Sequence, residues 1–186
     1  RALLAEENFL FAKSLSRQGN FPDAEKHMNL SLTIEPNYGS YLLKSIIEFS
    51  YKNDPKEAQK AVYKARELAG SDGTWRYNEG FLLMYTERFD EALKVYEGII
   101  DNSYFNEENT LVEIYKFNED FLKEHPKMIQ SYFILGFLKY KKDLNYPAAL
   151  EHFDKFIAES VSQPKYLVLR SRAEEYKKEL KNLMNL

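Results

Sequence analysis

Gly80-Phe81-Leu82-Leu83-Met84-Tyr85-Thr86-Glu87-Arg88-Phe89-Asp90-Glu91-Ala92-Leu93-Lys94-Val95-Tyr96 reads as two short amphipathic helices pinched together at a turn. The small residues Gly80 and Ala92 stand where two helix backbones come close, Phe89 plugs the turn, and Tyr96 lies one helical turn beyond Ala92. The pattern travels. An acidic residue followed by Ala recurs at Asp23-Ala24, Glu57-Ala58 and Glu91-Ala92, each pair 34 residues from the next. Two equal intervals with matching flanks define a repeat, and the repeating unit is a pair of helices.

All six prolines fall at expected helix boundaries, and they segment the rest of the chain. Proline is tolerated in the first turn of a helix and excluded from its interior. Pro22, Pro55, Pro147 and Pro164 open helices, whereas Pro36 and Pro126 follow helix ends. The helices expected in the first part span about 2–18, 22–34, 39–52, 55–69, 74–87 and 89–102. Leu4, Phe11, Ala12 and Leu15 form the inward face of the first, and Asp54 is the N-cap of the fourth. Gly70-Ser71-Asp72-Gly73 is the clearest loop.

These residues resemble the tetratricopeptide repeat, a 34-residue helix–turn–helix unit with small residues at fixed offsets. The matches in unit one are Phe11, Ala12, Leu15, Gly19, Phe21, Ala24, Met28, Ser31 and Pro36. Unit two contributes Leu42, Ile46, Phe49, Ala58, Val62 and Ala65, and unit three Gly80, Leu83, Phe89, Ala92, Tyr96 and Ile99. A later unit carries Tyr132, Leu135, Gly136, Tyr146, Ala149, Phe153 and Phe156, with one extra residue in its turn. Glu79 departs from the pattern at a place where a large apolar residue belongs, and Ile46 where a small one does.

The resemblance implies an all-α fold, a right-handed helical-repeat superhelix of about ten helices in a single domain over 1–186. Its parts are regular repeats at 3–36, 37–70 and 71–104, an irregular helical segment at 105–126, a repeat at 127–161 and a capping helix at 162–186. The irregular helix, about 107–124, turns Leu111, Ile114, Phe117 or Asn118, Phe121 and Leu122 inward. The capping helix turns Tyr166, Leu169, Ala173, Tyr176, Leu180 and Leu183 inward, covering the last apolar surface of the array.

Composition narrows the chemistry. The chain has no cysteine, which excludes disulfides, thiolate metal sites and cysteine nucleophiles. His27, His125 and His152 are far apart, and Glu107-Glu108 and Glu174-Glu175 are adjacent helix positions that point about 100° apart, as on solvated faces. No phosphate loop or catalytic constellation stands out, so the expectation is a protein that is not an enzyme, has no cofactor and holds no metal. Net charge is −3, with six Lys and Arg against three Asp and Glu in 163–186. A body without a basic stripe argues against nucleic acid. No apolar run approaches the roughly 20 residues of a membrane span. The chain begins at Arg1 inside a helical pattern and is read as a fragment or processed form; cytoplasm and periplasm both fit.

Function then rests on surface. In the resembled family the first helix of each unit lines a concave groove that takes a peptide or an amphipathic helix. Carried over, the groove positions are Phe9 and Lys13, then Leu43 and Ile47, then Tyr77, Phe81 and Met84, and finally Phe133, Phe137 and Tyr140. The expected function is a scaffold or adaptor that binds another protein or peptide in a largely apolar groove, with self-association as a further possibility. One of the chain's own helices covering those residues is the competing reading. A clamp for a carboxylate terminus is excluded, since its places hold Phe9, Lys13, Lys44, Thr74 and Asn78. The alternatives are a regulatory or assembly segment of a larger enzyme or membrane-associated complex, and a basic C-terminal helix that uses Tyr166 and Tyr176 on an anionic surface.

Overall fold

The computed structural model describes residues 1–100 and 107–186, and its described residues form ten α-helices and no strand. They are α1 (Ala2–Arg17), α2 (Phe21–Ile34), α3 (Tyr38–Ser50), α4 (Pro55–Leu68) and α5 (Trp75–Tyr85). There follow α6 (Phe89–Ile100), α7 (Glu107–Glu124), α8 (Gln130–Lys141), α9 (Tyr146–Ser160) and α10 (Leu167–Leu183). The chain is therefore all-α and built from helical hairpins. The expected end of the sixth helix, at 102, lies outside the described residues, as do the side chains of Glu107 and Glu108.

Local chemistry sets the boundaries. Proline stands in the first turn of α2, α4 and α9, where its missing N–H costs nothing. Asp54 caps α4 as expected, its Oδ1 accepting from the N–H groups of Lys56 and Glu57 at 3.1 and 3.0 Å. Asn37 and Asn145 cap α3 and α9 in the same way. The hairpin turns carry a second periodic mark. Gly19, Asn53 and Glu87 adopt left-handed backbone, with φ of 77°, 54° and 61°, and they stand 34 residues apart. In the α8–α9 turn the left-handed residue is Leu144, with φ of 53°. The same backbone solution thus recurs with the sequence period, whichever side chain has to adopt it.

The helices divide into two compact units, residues 1–82 and 83–186. In the first, α1 pairs with α2 and α3 with α4. Ala12 and Ala24 are wholly buried at the α1–α2 contact, where Met28, Leu43 and Ile47 complete one core cluster. Phe9, Leu15, Phe21 and Leu32 pack around it. The buried Ser31 is fully engaged: its Oγ donates to the Ala5 carbonyl at 2.6 Å, and Asn37 and Ser40 side chains donate to Ser31 Oγ at 2.9 and 3.0 Å. Ala58, Ala61, Val62 and Ala65 form the buried stripe of α4.

The second unit is an aromatic core. The α8 and α9 helices cross where Gly136 faces Phe153, and α10 lies along α9 with Leu169, Ala173, Tyr176 and Leu180 turned inward. The expected capping helix starts as a single 3-10 turn, Pro164–Tyr166, before becoming α-helical. On α7 the buried residues are Leu111, Asn118 and Phe121, so Asn118 rather than Phe117 takes the inward place.

The expected inward face of α1 needs correction. Ala12 is buried and Leu15 half-buried, but Leu4 and Phe11 each keep 52% of their surface exposed. Phe11 meets the edge of His27, with ring centroids 4.6 Å apart. One α2 helix is too narrow to cover an apolar stripe that wide. Leu183 at the end of α10 is likewise 53% exposed.

Candidate functional site

The groove positions expected on α8 lie within the second unit's core. Phe133 and Phe137 are fully buried and Tyr140 is nearly so. Tyr176 of α10 reaches all three, with ring centroids at 6.4, 5.9 and 5.6 Å. Phe153 and Phe156 close the cluster on the α9 side. Tyr140 keeps its polar end satisfied by donating to Glu179 at 2.6 Å. Burial first, and then the neighbouring Glu179 carboxylate, pushes the Tyr140 phenol well above its ordinary range. Burial and the charge of Glu97 push Tyr176 up to about 12. Both phenols are therefore held neutral.

Met84 is also fully buried, and its carbonyl accepts from Gln130 Nε2 at 3.5 Å. Gln130 Oε1 accepts from the Tyr166 hydroxyl at 2.9 Å, which ties the start of α10 to α8. Tyr85 pairs with Ser131 and meets Phe121 of α7 with centroids 4.7 Å apart. The 107–124 helix thus touches the Tyr85 ring from within the same unit.

In the first unit Leu43 and Ile47 belong to the α1–α2–α3 core cluster, with 6% and 0% of their surface exposed. Tyr77 and Phe81 are buried as well, and Phe81 meets Phe49 edge-on at 5.2 Å. Phe9 and Lys13 are half-buried. Eight of the ten groove positions therefore pack inside the fold, Phe9 and Lys13 being the two that do not.

Four of the six cations of the C-terminal segment, Lys165, Arg170, Arg172 and Lys177, are engaged. Lys165 pairs with Glu87 at 2.6 Å, Arg172 with Glu97 and Glu175, and Lys177 with Asp154. Arg170 donates to the carbonyl of Ser160 at 2.7 Å. Tyr166 and Tyr176 are buried, so the aromatic half of a basic–aromatic surface is turned inward.

The histidines lie in three separate settings. His27 meets Asn8 Oδ1 at 3.0 Å, His125 packs on Phe121, and His152 Nδ1 stands 2.7 Å from the Ala148 carbonyl. Among the described residues no group of three or more His, Asp or Glu is placed to hold a metal ion. No described helix is long and apolar enough to cross a membrane.

One cluster escaped the sequence reading. Trp75, the chain's single tryptophan, opens α5, and the guanidinium carbons of Arg66 and Arg76 lie 4.9 and 4.6 Å from its ring centre. Arg76 adjoins Trp75 in sequence, but Arg66 comes from the last turn of α4, so periodicity within either helix does not reveal the group.

The geometry defines an all-α protein of packed helical hairpins. No protein-family model matches its sequence, and no curated protein matches it. A solved structure described as a functional characterization of pilF from Pseudomonas aeruginosa aligns over 97% of this chain and 91% of its own. The TM-score is 0.49 and the sequence identity 16%, a degree of likeness that carries no conclusion about function.

Proposed function

We propose that the chain is a tetratricopeptide-type repeat domain that works by binding another protein, through a peptide or an amphipathic helix. The observation that carries this reading is the coincidence of two periods. Ala24, Ala58 and Ala92 recur every 34 residues in second helices and are each fully buried, and left-handed turn residues recur at the same interval. The repeated part of such a chain is its packing, and the variable part is its surface, which is how helical repeats present extended binding faces.

Within this reading a partner meets the first-helix side at Phe9 and Lys13, the two groove positions that are not interior. The buried positions Leu43, Ile47, Tyr77, Phe81, Met84, Phe133, Phe137 and Tyr140 are packed within their own units and are not available as contacts. Affinity rests on a few anchors rather than on the whole surface.

The test is a selection of displayed peptides on the wild-type chain, followed by binding of the selected peptides to a Phe9→Ser/Lys13→Glu variant. The reading expects a shared apolar motif among the selected peptides and at least tenfold weaker binding to the variant. Failure to select any peptide, or equal binding by the variant, overturns it.

A further inference from the structure

Several cations in this protein lie over aromatic rings, and most of them also hold a carboxylate. Lys139 lies over Tyr115 and pairs with Asp143; Lys141 lies over Tyr140 and pairs with Glu179. Lys165 lies over Tyr166 and pairs with Glu87, and Arg172 lies over Tyr176 and pairs with Glu97. Arg66 and Arg76 differ. Both lie over Trp75, and neither has a carboxylate within ion-pair distance among the described residues.

The platform beneath them is rigid. Trp75 is 9% exposed, and its backbone N–H donates to the Tyr38 hydroxyl at 2.9 Å. The Tyr38 hydroxyl in turn donates to Asp72 Oδ1, which also accepts from the Thr74 N–H at 2.7 Å. The Asp72 carboxylate is thereby committed to closing the loop before α5 and forms no ion pair with either arginine. Arg66 is exposed and Arg76 half-buried, so both reach the surface.

A guanidinium held over an indole by its charge keeps N–H groups available for a further acceptor. Those groups match the planar oxygens of a carboxylate in a bidentate fork. Two such groups on one ring, already ordered by it, lose little conformational freedom on capturing an anion. Arg66 belongs to α4, whereas Arg76 lies on α5 next to the groove position Tyr77.

We propose that Arg66 and Arg76, held over the Trp75 ring, form a docking point for the paired carboxylates of an acidic peptide segment in the partner. The proposal rests on the protein-binding reading and adds to it an acidic stretch in the same partner. Arg66 and Arg76 supply the hydrogen-bond donors, and Trp75 is their support.

Because Trp75 is the only tryptophan, its fluorescence reports on this site alone. Acetyl-hexaglutamate is titrated into the intact chain, with acetyl-hexaglutamine and inorganic phosphate as controls. The expected result is a saturable change with hexaglutamate, absent with hexaglutamine and weakened by added salt. Arg66→Gln and Arg76→Gln should each weaken it at least tenfold, and Arg66→Lys/Arg76→Lys should weaken it too, since an ammonium lacks the planar fork. Circular dichroism melting should be unchanged in these variants, because both side chains reach the surface.

An absent response, or one that persists in Arg66→Gln/Arg76→Gln, overturns the proposal. Phosphate matching hexaglutamate at equal concentration also overturns it, in favour of a general anion site. If hexaglutamate fails while displayed peptides are still selected, the acidic docking point falls and the protein-binding reading stands. If both fail, both fall.

Discussion

Gly136 faces Phe153 so closely that a Cβ added to the glycine would stand 3.0 Å from two carbons of the ring. Phe153 is fully buried and is itself held by Phe133 and Tyr176, so it has little room to retreat. A Gly136→Ala change gains helix propensity but meets that ring, and it should destabilise the chain by about 1 kcal/mol in urea denaturation. Gly39 offers the contrast. Its added Cβ would meet the far end of Phe9, a half-buried ring that can swing away, so Gly39→Ala should be neutral or mildly stabilising. Equal costs at the two sites would contradict this account of the α8–α9 crossing.

Leu144 holds φ at 53° in the turn before α9 while its side chain is 63% exposed. A left-handed backbone costs a leucine roughly 1–2 kcal/mol, and glycine avoids that strain at some entropic cost. Leu144→Gly should therefore stabilise the chain by about 1 kcal/mol. An unchanged or lower midpoint in urea would show that the leucine is making a contact worth keeping.

The C-terminal helix should be held by its apolar face rather than by its ion pairs. Tyr176 contacts Phe133, Phe137, Tyr140 and Phe153, and removal of a buried aromatic costs about 3–5 kcal/mol. The Arg172–Glu97 pair is more than a third exposed on both sides, and pairs of that kind contribute about 0.2–1 kcal/mol. Tyr176→Ala should thus lower the melting temperature several times more than Arg172→Ala, whose effect should fade in high salt. The reverse order would mean that charge, not packing, seats α10.

Alkaline pH should loosen the same region. Burial raises Tyr176 to about 12, from an ordinary phenol value near 10. Between those values the unfolded chain has released its proton and the folded chain has kept it, so the unfolded state binds fewer protons and stability falls as pH rises. The Tyr176 contribution is fully present below about pH 10 and is lost as pH climbs through about 12. Tyr140 is shifted the same way. Urea midpoints measured from pH 9 to pH 12 should fall for the wild type and fall less steeply for Tyr176→Phe.

The helices were legible because their ends depend on local covalent facts. A proline cannot sit inside α4, and Asp54 can cap it whatever packs beyond. The buried alanines were legible for a related reason: a small residue at a fixed period has few explanations other than a close crossing. Residues whose role depends on a neighbour were harder. Leu43 and Ile47 carry the same helical spacing whether they line an open face or pack beneath the preceding hairpin, and here they do the latter. Leu4 and Phe11 fail in the opposite direction, with an apolar spacing that the fold leaves half exposed. The Arg66–Trp75–Arg76 group needed coordinates because two helices and a loop have to meet to form it.

The central claim is that one packing unit recurs along the chain, and equilibrium urea denaturation of Ala24→Leu, Ala58→Leu and Ala92→Leu tests it most directly. All three alanines are fully buried in second helices at equal intervals. Each substitution should overpack a crossing and cost about 1–3 kcal/mol. Three neutral substitutions would contradict the repeat.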